Sequence, residues 1–204
     1  MFASKLLFMK KLYLLLLASV ITIMAFAQNA SDPTYGYGAV KTQDGKVVFV
    51  KDNIHFSTSD IEDVYNSILS WAKGRYVKPI VLSGKIRESE NESITIKSTE
   101  PLTFKKTAII TDEAKISYTL TILFKDGTCE LTFTDISYTY EEEREGGGMS
   151  FTAEEWITDK ESFNKSGSKM LKSTGKFRIK TIDLVNSISE EIQKAATICF
   201  ESVE

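Results

Sequence analysis

One hairpin constrains the fold of this 204-residue chain more than any other feature. Hydrophobic residues alternate with polar ones along the segments 116–124 and 129–133, and Asp126-Gly127 lies between them. Asp-Gly is a two-residue turn preferred in tight hairpins. This turn places the hydrophobic residues of both strands on one face, so that turn and pattern agree. The predicted pairs are Phe124 with Cys129, Ile122 with Leu131 and Leu120 with Phe133.

The opposite face of the hairpin is polar and compatible with β-structure. Its residues are Thr119, Thr121, Leu123, Glu130, Thr132 and Thr134. We expect this face to meet water while helices cover the hydrophobic side. The alternation changes parity at Asp135, because Ile136 and Tyr138 occupy the other set of positions. A β-bulge near Asp135 explains the change.

Two segments have the periodicity of amphipathic helices. The first has Ser59 and Glu62 at capping-box spacing, and Gly74 stands where a left-handed C-cap is expected. Its hydrophobic face consists of Ile61, Val64, Tyr65, Ile68, Leu69 and Ala72. The second helix closes the chain and starts between Thr174 and Ile182. Its hydrophobic face consists of Leu184, Val185, Ile188, Ile192, Ala195 and Cys199.

Shorter hydrophobic runs predict the remaining strands. The run from Lys46 to Val50 is rich in β-branched residues, which favour strands. Alternating pairs at 94–96 and 102–104, on either side of Pro101, predict two further strands. The predicted order is β-α-β-β-β-β-α. It indicates an α+β fold, a two-layer sandwich of an antiparallel sheet with two helices on one face.

The first 27 residues have the features of a secretory signal peptide. Lysines precede an uncharged stretch from Leu12 to Phe26, which ends in the small-x-small site Ala25-Phe26-Ala27. About 15 apolar residues are too few to span a bilayer. We expect cleavage after Ala27 and export to the periplasm or cell envelope. Residues 28–44 then form a flexible N-terminal segment, and residues 45–204 form a single domain.

The exported chain is acidic. The leader carries three lysines and no acids, so its removal changes the formal net charge from −3 to −6. Nucleic-acid binding depends on a concentrated basic face, so the sequence argues against that class. No second long apolar run follows, and we expect no stable membrane insertion after cleavage. Cys129 and Cys199 are the only cysteines. They are two buried thiols or, in an oxidising compartment, a disulfide.

The chain resembles a family of exported bacterial proteins with a domain of unknown function and a TATA-box-binding-protein-like (TBP-like) fold. The resemblance is carried by residues 45–49, the helix from Ser59 to Trp71, the hairpin from Ile116 to Ile136, and residues 175–178. It implies the element order given above and no established catalytic or ligand residues. It does not imply DNA binding, because a fold does not determine a function. The DNA-binding namesake uses an apolar, intercalating sheet face.

No motif in the sequence indicates an enzyme. His55 is the only histidine, and no nucleophile motif accompanies it. No His and Cys spacing is typical of zinc, and the acidic run from Glu141 to Glu145 lacks the loop that wraps calcium. Gly146-Gly147-Gly148 is not followed by the Lys-Ser/Thr of a phosphate loop. We therefore predict no catalytic residue, no metal and no cofactor.

Residues 141–175 are predicted to form an irregular connector. Within it, Thr152 and Glu155 have the spacing of a capping box for a short helix that carries Trp156. We predict Trp156 and Phe151 as partner contacts, since aromatic residues often anchor interfaces.

These observations favour an exported, non-enzymatic binding or interaction domain. It would use the polar outer face of the sheet, or the connector, to contact an envelope protein, a glycan or a small ligand. The alternative is a carrier of a small apolar ligand, with a cavity between the sheet and the closing helix. A hydrolase without a recognisable motif is the third hypothesis.

The processing site is tested by the intact mass of the protein isolated from its native cells. We expect the mass of a chain that begins at Gln28, because the signal peptidase site ends at Ala27. A chain that retains Met1 would contradict the predicted export.

The disulfide is tested by the same measurement. A gain of two hydrogen masses on reduction would reveal it.

Overall fold

The computed structural model describes residues 32–56, 61–109, 111–125, 127–143 and 146–198. They form an antiparallel sheet packed against helices around one hydrophobic core. The strands are β1 (Lys41–Gln43), β2 (Lys46–His55), β3 (Ser83–Ser89), β4 (Ser93–Lys106), β5 (Thr111–Lys125), β6 (Thr128–Tyr140) and β7 (Met149–Thr152). The helices are α1 (Ile61–Arg75), α2 (Ala153–Trp156), α3 (Asp159–Ser162) and α4 (Lys172–Ile198).

The strand order is β1-β2-β6-β5-β4-β3, and β7 pairs with β6 beyond the end of β2. The predicted α+β fold and its β-α-β-β-β-β-α core are confirmed. β1 and β7 are additions, each of which extends a longer strand as a hairpin partner. No helix within the described residues is long and hydrophobic enough to cross a bilayer.

The central hairpin has the predicted register. Phe124 pairs with Cys129, Ile122 with Leu131 and Leu120 with Phe133, and all six side chains are buried. Gly127 has a φ of +70°, as the tight turn requires. The other turn residue, Asp126, lies outside the described residues.

The predicted bulge is present at Asp135. Ser117 pairs with Ser137 but Thr119 pairs with Thr134, so β6 has one extra residue at this point. Asp135 adopts a φ of +52°, and its carboxylate accepts a hydrogen bond from Thr119 Oγ1 at 3.0 Å. The bulge returns Ile136 and Tyr138 to the core, where both are buried.

β4 is one continuous strand, and the prediction of two strands separated by Pro101 was wrong. Pro101 pairs with Lys115 of β5, whereas β3 pairs with β4 only as far as Thr99. No described strand pairs with that edge of β4 at Pro101, and an unpaired edge tolerates proline. The prediction also missed β3, a largely exposed strand.

Both predicted helices are present with different ends. α1 buries the expected hydrophobic face, but Gly74 lies inside the helix and not in a left-handed cap. The helix continues to Arg75, whose Nη2 donates to Glu100 at 2.6 Å. The proposed N-cap Ser59 lies outside the described residues. α4 begins at Lys172, earlier than predicted.

Residues 32–44, part of the segment that the sequence predicts to be flexible, make long-range contacts with α4. The Arg178 side chain on α4 is fully buried and donates to the carbonyl oxygens of Tyr35 at 2.8 Å and Gly36 at 2.5 Å. The Tyr35 hydroxyl donates to Asp183 at 2.7 Å. Val40 is buried in the core. The segment is thus held by long-range contacts that no local pattern reveals.

The predicted connector, residues 141–175, contains regular elements. It contains β7, α2 and α3, and the predicted capping box of Thr152 and Glu155 is confirmed. Arg178 Nη1 donates to the Ile157 carbonyl at 2.8 Å. Its Nη2 lies 2.8 Å from Asp159 Oδ1, an ion-pair distance, although no hydrogen bond joins these two atoms.

The predicted signal peptide and Cys199 lie outside the described residues, so export and the disulfide stay predictions. Cys129 is fully buried, and burial raises the pKa of its thiol to about 12. At neutral pH it is a neutral thiol packed inside the core.

Replacement of Arg178 tests this anchoring. We expect Arg178→Met to reduce the free energy of unfolding by about 3–5 kcal/mol, since three buried carbonyl groups and Asp159 lose their partner. Lys180→Met on the same helix removes only a half-exposed pair with Asp183 at 3.2 Å and should cost about 0.5 kcal/mol or less. Urea unfolding measures both. Equal stability of the two variants would contradict the anchoring role.

Candidate functional site

The structure brings the predicted contact residues Phe151 and Trp156 together. Their rings stack with centroids 4.1 Å apart. Both rings also contact Phe177 of α4, with centroid distances of 5.3 Å from Phe151 and 6.0 Å from Trp156. Both side chains are half-buried against the core. They support the junction of β7, α2 and α4, and their contact with a partner stays a prediction.

The other polar features of the sequence lie apart from one another. His55 is exposed at the end of β2, and its carbonyl accepts a hydrogen bond from Gln193 at 3.1 Å. Residues 141–143 are exposed, and Glu142 pairs with Lys115. Residues 144 and 145 lie outside the described part. In the part of the chain that the structure describes, no three His, Cys, Asp or Glu side chains are grouped to hold a metal.

The outer face of the sheet, opposite the helices, has a regular arrangement of polar groups. The strand register aligns its side chains in rows across β3, β4, β5 and β6. These rows are Ser83-Thr99-Ser117-Ser137, Lys85-Lys97-Thr119-Thr134 and Arg87-Thr95-Thr121-Thr132. The threonines of the hairpin are half-exposed, as predicted.

Three cations occupy one end of these rows. We call Lys85, Arg87 and Lys97 the basic corner. Lys85 lies directly opposite Lys97 in the β3–β4 pair, and Arg87 follows two positions along β3 on the same face. All three are exposed, and no described carboxylate lies within ion-pair distance of them. By contrast, Lys125 at the end of β5 pairs with Glu130 at 2.7 Å.

A shallow concavity of about 420 Å³ lies beside the basic corner and is lined by residues of β3, β4, β5 and β6. Lys85 and Lys97 form one side of it. The Thr99 and Ser117 hydroxyls lie 2.8 Å apart along its floor. Asp135, at the bulge, is the carboxylate among its lining residues and accepts from Thr119. The concavity therefore offers amines and hydroxyls in a fixed arrangement.

Gly84 allows β3 to reach this position. A Cβ atom on residue 84 would lie 2.6 Å from the Tyr76 carbonyl oxygen. Since real Cβ atoms do not approach this closely, any other residue would push β3 away from the segment that follows α1. The position of the basic corner thus depends on Gly84, the residue of β3 that lies against Tyr76.

A buried polar network supports β4 next to the concavity. Glu100 is 5% exposed and accepts from Arg75 at 2.6 Å and from the Tyr118 hydroxyl at 2.5 Å. Burial lowers the pKa of the Arg75 guanidinium, but the hydrogen bond and charge of Glu100 outweigh burial, so this pKa is raised. Burial is the main cause that raises the pKa of Tyr118. Glu100 thus connects α1 to the sheet through a charge-assisted hydrogen bond, while the other terminal nitrogen of Arg75, Nη1, is buried without a hydrogen-bond partner among the described residues.

Sequence reasoning missed the basic corner. Lys85 and Arg87 alternate as on one face of a strand, which was the available signal. The position of Lys85 opposite Lys97 depends on the β3–β4 register, and β3 itself was not predicted.

Together these features define a TBP-like α+β domain whose outer sheet face has a cationic end. The model of the DUF4468 family, a domain of unknown function with a TBP-like fold, matches residues 50–139. The resemblance drawn from the sequence is confirmed. No curated protein matches the chain.

Two solved structures are similar over most of the chain. A DUF4468 family protein from Bacteroides ovatus has 28% sequence identity and a TM-score of 0.71. The similarity covers 81% of this chain and 95% of that one. A TBP-like protein from Parabacteroides distasonis has 22% identity and a TM-score of 0.63, with 77% and 96% of the two chains covered. The second supports the fold alone.

The structural role of Trp156 is tested by truncation. We expect Trp156→Ala to lower the free energy of unfolding by about 1–3 kcal/mol, less than a fully buried ring would, because the ring is half-buried. Met149→Ala, an exposed position on neighbouring β7, should change stability by about 0.5 kcal/mol or less. Thermal unfolding gives both values. Unchanged stability of the Trp156 variant would contradict this structural role and would favour the predicted role in contacting a partner.

Proposed function

We propose that this protein is an exported, non-enzymatic binding domain whose ligand surface is the basic corner of the outer sheet face. The observation that carries the proposal is the Lys85–Lys97 pair, which has no described carboxylate within ion-pair distance. Like charges directly opposite each other destabilise a sheet. A ligand with carboxylate or phosphate groups would remove this cost by supplying the missing charges.

The surroundings of the corner favour an acidic ligand of limited size. Arg87 adds a planar donor group suited to paired acceptor oxygens. The hydroxyls of Thr99 and Ser117 share one hydrogen bond, so one of the two is left as a neutral donor on the same surface. The exported chain as a whole is acidic, so a long polyanion would be repelled beyond the corner. The leader sequence supports export, which would separate the domain from chromosomal DNA.

A carrier of apolar ligands has less support. The side chains of α4 that face the sheet, Phe177, Ile188 and Ile192, are almost completely buried. Ile96 and Leu120 of the sheet are buried in the same cluster. These contacts fill the space in which the predicted cavity would have to lie.

The proposal is tested by binding of two labelled anionic probes, an oligoglutamate and an alginate oligosaccharide, to the chain without its leader. We expect the double variant Lys85→Glu/Lys97→Glu to weaken binding of the preferred probe by about tenfold or more, because each substitution replaces attraction by repulsion. Lys106→Glu is the matched control, as Lys106 is an exposed lysine at the far end of β4.

Fluorescence anisotropy at two ionic strengths gives the affinities. Binding should weaken at the higher salt concentration, as expected for contacts between exposed charges. Equal affinities of the double variant and the Lys106 variant would contradict the proposal, and so would a lack of binding by both probes.

A further inference from the structure

β3 is an edge strand with exposed backbone. It is the last strand in the sheet order and pairs with β4 alone among the described strands. Five of its seven residues are exposed, including Lys85 and Arg87. An edge strand presents a row of unpaired N–H and C=O groups, which can pair with another extended chain.

An exposed apolar segment leads directly into this edge. Val77, Ile80 and Leu82 are 48%, 49% and 40% exposed. A hydrogen-bonded turn between Val77 and Ile80, at 3.0 Å, holds them in place. Large exposed hydrophobic residues grouped in this way are typical of interaction sites.

The charges of β3 disfavour pairing with a second copy of itself. Two copies that form a continuous sheet must keep their outer faces on the same side. In an antiparallel pairing centred on Ile86, Lys85 of one copy lies opposite Arg87 of the other. In a pairing centred on Lys85 or on Arg87, that residue lies opposite the same residue of the second copy. Like charges directly opposite each other are unfavourable. In these antiparallel registers like charges oppose the pairing of two copies, whereas a chain of opposite charge meets no such cost at this edge.

We propose that the ligand of the basic corner is an acidic polypeptide segment that adds to β3 as an extra strand; this rests on the proposed function above. Alternate residues of an added strand point to the same face. Carboxylates at every second residue would therefore face Lys85 and Arg87, with Lys97 one strand further. The main chain supplies the hydrogen bonds, as in other cases of strand addition. An acidic glycan has no such backbone and would use the charges alone.

The test uses the labelled peptide acetyl-Glu-Val-Glu-Val-Glu-Val-Glu, which matches β3 in length. Two N-methylated forms are compared, one methylated at every valine nitrogen and one at the internal glutamate nitrogens. The amides of alternate residues point to the same edge of a strand. One form therefore blocks the edge that faces β3, and the other is its matched control.

We expect one methylated peptide to bind at least tenfold more weakly than the unmodified peptide and the other to bind within about twofold of it. Equal affinities of the two forms would overturn strand addition. If the two methylated peptides bound equally but the Lys85→Glu/Lys97→Glu variant still bound both of them more weakly, the proposed acidic-ligand function would stand without strand addition. Tighter binding of the alginate oligosaccharide than of the peptide would overturn the polypeptide assignment.

The apolar segment gives an independent measurement. Leu82→Ser should weaken peptide binding several-fold, because the residue lies beside the edge on which the peptide would pair. Ile109→Ser, at a 93% exposed position outside this surface, is the control. Sedimentation at the same concentrations should show a monomer, and pairing of two copies through β3 would contradict the choice of occupant.

Discussion

The burial of one guanidinium group determines where the irregular parts of this protein lie. Arg178 stands on the long closing helix with its side chain fully buried, and burial lowers its pKa in spite of the neighbouring Asp159. A buried cation is costly unless its donors have partners. Here three backbone carbonyls, from Tyr35, Gly36 and Ile157, accept from it. The two segments that supply them are fixed on the same helix, although neither has a hydrophobic pattern strong enough to fix itself.

The predictable parts of the fold are those in which residues close together in the sequence determine the structure. In the central hairpin, a two-residue turn determines the register, and the hydrophobic alternation agrees with it. The bulge at Asp135 was predictable for the same reason, since a change of parity within one strand has few structural causes. The helix face of α1 follows from its periodicity alone. In each case the residues that determine the structure lie within a few positions of one another.

The parts that sequence reasoning missed depend on contacts between distant residues. Residues 32–44 have no periodicity, and their order comes from Arg178, more than 130 positions away. Pro101 suggested a strand end, but whether it ends β4 depends on where β3 stops pairing. β3 is an edge strand with little buried surface, so it has no hydrophobic alternation, and the spacing of Lys85 and Arg87 was its one sequence signal. The basic corner was missed with it, because the corner exists only through the register of β3 on β4.

The charge distribution of the domain gives the proposed site its selectivity. The chain has a formal net charge of −3, which would become −6 without the predicted leader, and this charge repels acidic molecules at long range. Salt screens the repulsion beyond about 10 Å at 0.1 M. The contacts at the basic corner act at much shorter distances, where screening is weaker. A short acidic segment would therefore gain the local attraction and meet little of the repulsion, whereas a long polyanion would meet both. A TBP-like sheet face with hydroxyls and a cationic end thus suits a ligand that places a few acidic groups at strand spacing.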